Sequence, residues 1–276
     1  MALVLEEEKM IQFQNVSASY ADGTVAVKNI SFSIRPGVNV AVLGESGSGK
    51  STLFQLLAGL MVPLEGSISL NNEKLLYKKK SLQQWRSRFG FVLQNPDMQL
   101  FAPTVEEDVM YGLLQKGQKT EEARKKAAAA MNACGIEHLR QKPPHSLSAG
   151  EKKRAAIAGV AVMNPDIFVM DEPEAGLDPA NTSRLTALIH QFRRQNKTVI
   201  CATHNIDFAY EWADEWLILD KGQLLFYGDS THFFEKETLR SIIEYPWAHE
   251  IGRLTGTAPL TKRDALQQLQ KIFPKK

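Results

Sequence analysis

One short segment limits the possible folds of this chain more than any other feature. Residues 44–51, GESGSGKS, match the pattern G-x-x-x-x-G-K-[ST] of a phosphate-binding loop. An apolar run at residues 38–43 predicts a strand directly before the loop. Apolar side chains then recur at helical spacing from Leu53 to Leu60, which predicts an amphipathic helix. A strand, this loop and a helix in that order predict an α/β nucleotide-binding fold.

The loop also predicts how a nucleotide is held. Glycine lets the backbone curl so that successive N–H groups point at phosphate oxygens, and the following helix turns its positive dipole end toward the same anion. Lys50 is expected to reach the β- and γ-phosphates, and the Ser51 hydroxyl to ligate Mg²⁺. The predicted nucleotide-binding residues of this segment are Gly44, Glu45, Ser46, Gly47, Ser48, Gly49, Lys50, Ser51 and Thr52.

A second predicted strand delivers two adjacent acids. Residues 167–170 are apolar, and Asp171 and Glu172 follow them directly. Ligands of open α/β sheets bind beyond the carboxyl ends of the strands, so these acids are expected beside the phosphates. Asp171 is predicted to hold Mg²⁺, directly or through water, and Glu172 to act as general base on the attacking water.

Two other polar residues are ambiguous when each is taken alone. His204 follows a predicted strand at residues 198–203, where it would contact the γ-phosphate or serve only the local structure. Gln94 lies in a Gln-Asn-Pro segment, for which a turn is the default interpretation.

The order of the motifs resembles the nucleotide-binding subunits of ABC transporters over about residues 10–235. In that family two subunits enclose two ATP molecules, and the signature segment of one caps the γ-phosphate bound by the other. The resemblance implies a catalytic and Mg²⁺-ligating role for Gln94 in the Q-loop and a γ-phosphate-sensing role for His204. The remaining implied ATP contacts are Tyr20 against adenine, Ser148, Ala149, Gly150 and Glu151 of the signature, and Asp178 of the D-loop.

Hydrophobic patterning and the resemblance together predict the architecture. Alternating residues before the loop indicate antiparallel strands, and strands alternate with helices after residue 167. We predict an α/β fold with a P-loop ABC-type ATPase core, an antiparallel β flank, an inserted α-helical subdomain and a short C-terminal helical tail. The predicted ATPase domain spans residues 1–237, with the helical subdomain at about residues 95–162, and the C-terminal helical extension spans residues 238–276.

Two local patterns outside the motifs also lead to predictions. The basic run at residues 78–80 is expected to be a solvated loop. Residues 261–273 are expected to form a short helix, because Thr261 and Asp264 have capping-box spacing. Leu266, Leu269 and Phe273 would then share one face of that helix.

The overall charge limits the classes of partner. The chain has 33 Lys and Arg residues against 31 Asp and Glu residues, a formal net charge of +2. Proteins that coat nucleic acid usually carry a strong basic excess, so we expect no nucleic-acid partner. No uninterrupted apolar run reaches the roughly 18–20 residues of a membrane span. Any work at a membrane is therefore expected to be peripheral and through a partner.

A narrower resemblance is carried by residues 94–112, QNPDMQLFAPTVEEDVMYG, which look like the ATPases of energy-coupling-factor importers. Those importers take up vitamins or transition-metal ions through a substrate-binding membrane protein, while a second membrane protein transmits force. The resemblance implies that this segment docks the transmembrane coupling subunit and reaches the substrate-binding membrane subunit only indirectly. It also implies a second ATPase subunit, identical or paralogous, and a place at the cytoplasmic face of the cell membrane.

Three residues depart from the family pattern. The usual signature is Leu-Ser-Gly-Gly-Gln, in which Ala149 here replaces the first glycine and Glu151 the glutamine. Ala149 is expected to be tolerated unless its φ is positive. Ser148 and Glu151 have capping-box spacing, which gives the glutamate a local role. Glu174 stands where relatives often have Thr or Ser, and the sequence offers no physical reason for it.

Three functions remain open from the sequence. A transport ATPase accounts for all the motifs and is the leading prediction. A soluble ABC-type ATPase acting on nucleic acid or the ribosome commonly carries two ATPase domains or a long coiled-coil insertion, which are not found here. A small-molecule kinase would use the same loop but leaves the signature segment unexplained.

Overall fold

The computed structural model describes residues 10–234, 244–256 and 262–272. Within these ranges the strands are β1 (Ile11–Ser19), β2 (Val25–Ile34), β3 (Asn39–Leu43), β4 (Glu65–Leu70), β5 (Glu73–Lys74), β6 (Phe89–Val92), β7 (Ile167–Asp171), β8 (Thr198–Ala202), β9 (Glu215–Asp220) and β10 (Gln223–Asp229). The helices are α1 (Lys50–Leu57), α2 (Lys79–Arg86), α3 (Val105–Gln115), α4 (Thr120–Ala133), α5 (Ala149–Ala161), α6 (Pro179–Arg194), α7 (Ile206–Trp212), α8 (Ser230–Phe234), α9 (Trp247–Thr255) and α10 (Lys262–Ile272).

The central sheet brings the predicted motifs together at the carboxyl ends of its strands. It has six strands in the order β10-β9-β3-β8-β7-β6, parallel except for the antiparallel edge strand β10. The register pairs Val42 with Ala202 and Asp171 with Ala202, so β3, β8 and β7 end at the same level. The segments that follow these three strands therefore emerge side by side, as the carboxyl ends of parallel strands do.

A second, antiparallel sheet of four strands lies in the order β2-β1-β4-β5, which confirms the predicted β flank. Its apolar face shares a core with α1 and with one face of the central sheet. A second core on the other face of the central sheet includes residues of α3 to α7. Helix α1 is therefore enclosed between two sheets, which fixes the direction in which its N-terminus points.

The chain between β6 and β7 is helical. Helices α3, α4 and α5 pack against one another, and on α4 the small side chains Ala123 and Ala127 are fully buried. Small residues at such positions allow close packing of neighbouring helices. The three packed helices match the predicted helical insertion. The domain boundaries given above stay predictions.

Two local predictions were wrong. The basic run at residues 78–80 is not a loop, because α2 begins at Lys79 and buries Trp85, whose indole N–H donates to the Leu57 carbonyl at 2.6 Å. The helix after the phosphate loop ends at Leu57, because Gly59 adopts a φ of 61°. Leu60 therefore lies outside the helix and is 69% exposed.

The C-terminal extension is described only in part. Helix α10 occupies most of the predicted residues 261–273, while Thr261 and Phe273 lie outside the described residues. Leu266 is half exposed, and α10 packs against α9, which the sequence did not predict. Across the described ranges, every helix is too short or too polar to cross a bilayer.

Candidate functional site

The loop between β3 and α1 depends on glycine at positions where a side chain cannot fit. Gly44 has a φ of 147°, and a Cβ there would overlap the carbonyl oxygen of Leu219. Gly49, at the N-cap of α1, has a φ of 109°, and a Cβ would lie 3.0 Å from the Ala26 carbonyl oxygen. L side chains rarely adopt such a φ, so the two glycines set the path of the loop.

Lys50 spans this loop. Its ammonium donates to the carbonyl oxygens of Gly44 at 2.6 Å and Glu45 at 2.8 Å. Burial lowers the pKa of Lys50, whereas the nearby carboxylates of Glu172 and Asp171 act to raise it. The Lys50 ammonium therefore bonds to the loop and interacts with the charges of the two acids at the end of β7.

A cavity of about 640 Å³ opens beside the loop. Three lining residues, Thr24, Val25 and Ala26, belong to no motif and were missed, because nothing in their sequence marks a binding role. Eleven residues predicted for the site line it: Tyr20, Ser46, Gly47, Gly49, Lys50, Ser51, Thr52, Gln94, Asp171, Glu172 and His204.

The Glu172 side chain contacts both Gln94 and His204, the two residues that were ambiguous from the sequence. Its Oε2 accepts from the Gln94 side-chain amide at 2.8 Å, and its Oε1 lies 3.1 Å from Nδ1 of His204. Glu172 itself has a φ of 41°, an uncommon conformation for a residue with a side chain. The structure thus holds this carboxylate by both oxygens in the lining of the cavity.

Asp171, at the end of β7, lines the same cavity as Ser51 and Gln94. Burial and the neighbouring Glu172 raise the pKa of Asp171, while Lys50 and Lys153 lower it. A carboxylate, a hydroxyl and an amide oxygen are the hard oxygen donors that Mg²⁺ prefers. The predicted donor set therefore fits the ion.

Tyr20 lines the cavity on the side of the antiparallel sheet. Its hydroxyl lies 2.8 Å from the Thr52 hydroxyl, which ties the end of β1 to helix α1. The ring is partly exposed. Its role against adenine stays a prediction.

The remaining predicted residues lie outside the lining of the cavity, all within the described part of the chain. The carbonyls of Gly44 and Glu45 bind Lys50, and the side chain of Ser48 is buried. The signature residues and the D-loop aspartate form a separate group: Ser148, Ala149, Gly150, Glu151 and Asp178.

The signature forms the start of α5. Ser148 is the N-cap and accepts from the Glu151 N–H at 3.3 Å, while the Glu151 carboxylate accepts from the Ser148 N–H at 2.8 Å. This confirms the predicted capping box, and these hydrogen bonds lower the pKa of Glu151. Ala149 is helical and does not have a positive φ, so its methyl group introduces no strain.

Asn181 joins the signature to the D-loop and was missed by the sequence analysis. Its N–H and side-chain amide both donate to Asp178, each at 2.8 Å, and its side-chain oxygen accepts from Arg154 of α5. A Cβ at Gly150 would lie 2.8 Å from the Asn181 side chain. Glycine at position 150 therefore leaves room for the Asn181 side chain within this chain, quite apart from any nucleotide. The spacing of Asp178 and Asn181, typical of an N-cap and the residue it caps, is the sequence pattern that could have predicted this contact.

Comparison with known proteins gives consistent findings. The family model described as ABC transporter matches residues 27–175. The chain is 42% identical over 233 residues to the energy-coupling factor transporter ATP-binding protein EcfA of Methanococcus maripaludis, which covers 84% of each chain. It is 39% identical over 238 residues to EcfA2 of Clostridium perfringens, covering 86% of this chain and 84% of that protein.

Two solved structures are also similar. CbiO1 of Clostridium perfringens, part of the ABC transporter complex CbiONQ, superposes with a TM-score of 0.79 at 36% identity, covering 91% of this chain and 100% of that one. The ATP-binding cassette MJ0796, solved as a dimer in a post-hydrolysis state with ADP and Pi, gives a TM-score of 0.72 at 30% identity. That match covers 80% of this chain and 98% of the cassette.

Proposed function

This chain belongs to the ABC transporter ATP-binding family, with energy-coupling-factor transporter ATPases among its relatives, and we propose how its own residues carry out hydrolysis and pass the work to a membrane partner. It binds and hydrolyses ATP as the ATPase subunit of an energy-coupling-factor type importer. The relatives favour this function over the nucleic-acid and kinase alternatives.

The observation that carries the mechanism is the position of Glu172. Its carboxylate is held by Gln94 and His204 in the cavity that Lys50 and Ser51 also line. We propose that Glu172 takes the proton of the attacking water, while Gln94 and His204 keep the carboxylate in place and His204 contacts the γ-phosphate. Lys50 and the loop N–H groups bind the β- and γ-phosphates.

The oxygen donors in the cavity define the proposed Mg²⁺ site. Ser51, Gln94 and Asp171 would hold the ion, which supplies charge neutralisation at the phosphates when it is bound. The half-buried carboxylate of Asp171 is the anionic member of the set, and Lys50 lies close enough to lower its pKa. Lys50 and the ion would therefore share the charge of the phosphates.

The experiment for this mechanism is Glu172→Gln. The amide keeps the size of the side chain but cannot take a proton, so we expect ATP binding to persist and kcat to fall about 100-fold or more. The variant should accumulate as an ATP-bound dimer in size-exclusion chromatography. The control is Glu122→Gln, on the exposed surface of α4, which should hydrolyse ATP at the wild-type rate. Near-normal turnover of Glu172→Gln would contradict the role of Glu172 as base.

A second ATPase subunit is part of the proposal. Ser148, Gly150 and Asp178 lie outside the cavity of their own chain, and the similar cassette MJ0796 was solved as a dimer. We propose that the signature and D-loop of one subunit complete the cavity of the other. The second subunit is another copy of this chain or a paralogue.

The membrane partner is proposed to dock on residues 94–112. Within this segment Met98 is 77% exposed and Phe101 is 65% exposed, and the Phe101 ring packs edge-on against Tyr111 with centroids 4.7 Å apart. Exposed apolar side chains grouped in this way favour a protein interface. The partner is the transmembrane coupling subunit, which places the chain at the cytoplasmic face of the membrane and in indirect contact with the substrate-binding subunit.

The transported substrate is proposed to be a transition-metal ion or a vitamin. The support is the family of relatives, which includes a subunit of the complex CbiONQ. Uptake of radioactive cobalt, nickel and vitamins by cells with and without the chain would distinguish the two classes. Uptake that does not depend on the chain for any of these solutes would contradict the proposal.

A further inference from the structure

A buried lysine lies where the signature helix meets the hydrolysis site. Lys153, one turn into α5, is only 4% exposed. Lysine is almost never fully buried without a partner, because its ammonium loses its hydration. Here the ammonium donates to the carbonyl oxygen of Gln94 at 2.6 Å and to that of Glu172 at 3.1 Å. Both acceptors belong to residues of the proposed catalytic group.

The bond to Glu172 supports a backbone in an unfavourable conformation. Glu172 has a positive φ, and such strain persists only where the surroundings fix the backbone. Its N–H donates to the Ala202 carbonyl at 2.9 Å, and its carbonyl accepts from the Ala175 N–H at 3.1 Å as well as from Lys153. Lys153 is thus the side chain that holds the main chain of the proposed base.

The bond to Gln94 ties the same lysine to the proposed docking segment. A neighbouring contact strengthens this link, because Lys152 pairs with Asp97 at 2.7 Å. Two consecutive lysines of α5 therefore hold the segment that begins at Gln94. A displacement of this segment by a membrane partner would act on the Lys153 ammonium, and through it on the Glu172 backbone.

Glu174 is a second buried ionisable residue beside the proposed catalytic group. It is only 7% exposed and accepts a hydrogen bond from the Thr203 hydroxyl, next to His204. Burial lowers the pKa of Lys153, and among the groups that oppose this effect Glu174 acts most strongly. The departure from Thr or Ser at position 174 has no structural explanation.

We infer that Lys153 is a positioning residue for ATP hydrolysis, which fixes the backbones of Gln94 and Glu172 to the signature helix. The inference rests on the proposed function of Glu172 as base. Lys153 is not among the residues that line the cavity, so it acts through Gln94 and Glu172 rather than on the nucleotide.

The first test is Lys153→Met in the purified full-length chain, with ATP hydrolysis measured at a range of ATP concentrations. We expect kcat to fall at least tenfold while KM for ATP stays within twofold. The matched control is Lys125→Met on the surface of α4, where the side chain is 77% exposed, and it should leave both constants unchanged. An unchanged kcat in Lys153→Met, or an effect on KM alone, would overturn the inference.

The second test separates positioning from charge balance. Lys153→Met also removes the electrostatic interaction of the ammonium with the Glu174 carboxyl group, so its effect includes that interaction. The double variant Lys153→Met with Glu174→Gln removes both charges, and we expect its thermal midpoint to return toward the wild-type value while kcat stays at least tenfold low. Recovery of kcat to within twofold of wild type would show that Lys153 serves only to balance Glu174, and would overturn the inference.

A third variant keeps the test decisive if the two methionine variants do not fold. Lys153→Arg retains the charge but places its donors differently, so kcat should fall at least threefold with little change in thermal midpoint. A wild-type kcat in Lys153→Arg would then overturn the inference. Glu172→Gln is measured in parallel: normal turnover there contradicts the proposed base, whereas normal turnover in the Lys153 variants alone contradicts only the positioning role.

Discussion

At the scale of single residues, the signature segment is explained by contacts within its own chain. Glu151 completes the capping box with Ser148, so its carboxylate serves the N-terminus of α5. Gly150 leaves room for Asn181, which binds Asp178. The identity of these residues is thus constrained by local structure as well as by any nucleotide on a second subunit.

Gly150→Ala tests the contact with Asn181. The added Cβ would lie 2.8 Å from the Asn181 side chain, and such crowding costs about 1–3 kcal/mol in free energy of unfolding. We expect lower stability and a several-fold loss of ATPase activity, because the signature and D-loop would move apart. Urea unfolding and steady-state hydrolysis measure the two effects.

Gly159→Ala is the control on the same helix. A Cβ at Gly159 would meet only the Val109 Cα at 3.9 Å, which is ordinary van der Waals distance. Alanine is favoured over glycine in a helix by about 0.5–1 kcal/mol, so stability should stay or rise. Equal losses of stability and activity in the two variants would contradict a specific role for the Gly150–Asn181 contact.

At the scale of secondary-structure elements, three parallel strands set the position of the site. Strands β3, β8 and β7 are neighbours, and the phosphate loop, His204 and the two acids lie at their carboxyl ends. Helix α1 is fixed behind the loop by two sheets. The register of these strands therefore determines which residues meet at the site.

Helix α2 begins within the basic run that was predicted to be a loop. Trp85 is the buried residue that fixes this helix to the rest of the chain. The indole is buried, donates to the Leu57 carbonyl and stacks on Phe89 with ring centroids 5.4 Å apart. Trp85→Ala should lower the free energy of unfolding by about 3–5 kcal/mol, because it removes a large buried side chain.

Urea unfolding followed by circular dichroism measures this loss. Leu76→Ala, at a half-exposed position near the same helix, should change the free energy of unfolding by about 0.5 kcal/mol or less. Similar values for Trp85→Ala and Leu76→Ala would mean that α2 does not depend on its tryptophan.

At the scale of the whole molecule, the residues predicted to bind ATP form two groups, which we propose to be half-sites. One holds the cavity with Lys50 and Glu172, and the other holds Ser148 and Asp178. A symmetric pair of subunits would bring each half-site against the complementary one. We therefore expect hydrolysis to depend on the dimer.

Subunit mixing tests the arrangement. Lys50→Ala disables the phosphate loop and Ser148→Arg obstructs the signature, so each variant alone should be inactive. If the chain forms homodimers, a mixture contains dimers in which one of the two sites combines an intact loop with an intact signature. We expect ATPase activity in the mixture that neither variant shows alone. A mixture as inactive as its components would contradict a site shared between two copies of this chain.

The sequence by itself determined the features that depend on neighbouring residues. These are the phosphate loop between a strand and a helix, the two acids at the end of β7, the capping box at Ser148 and the strands β3, β7 and β8 of the central sheet. Each rests on short-range periodicity or on glycine and capping preferences, which a linear pattern expresses directly. The same kind of pattern failed at Leu60 and at residues 78–80, where Gly59 and the burial of Trp85 outweighed it.

Only the tertiary structure decided which distant residues meet. Gln94 and His204 are far from Glu172 in the sequence, and the sheet register brings both side chains to the Glu172 carboxylate. Lys153 looks like one more cation in a basic run, and its burial against two carbonyls follows from how α5 packs beside β6. Such contacts depend on packing between elements, so no local pattern along the chain encodes them.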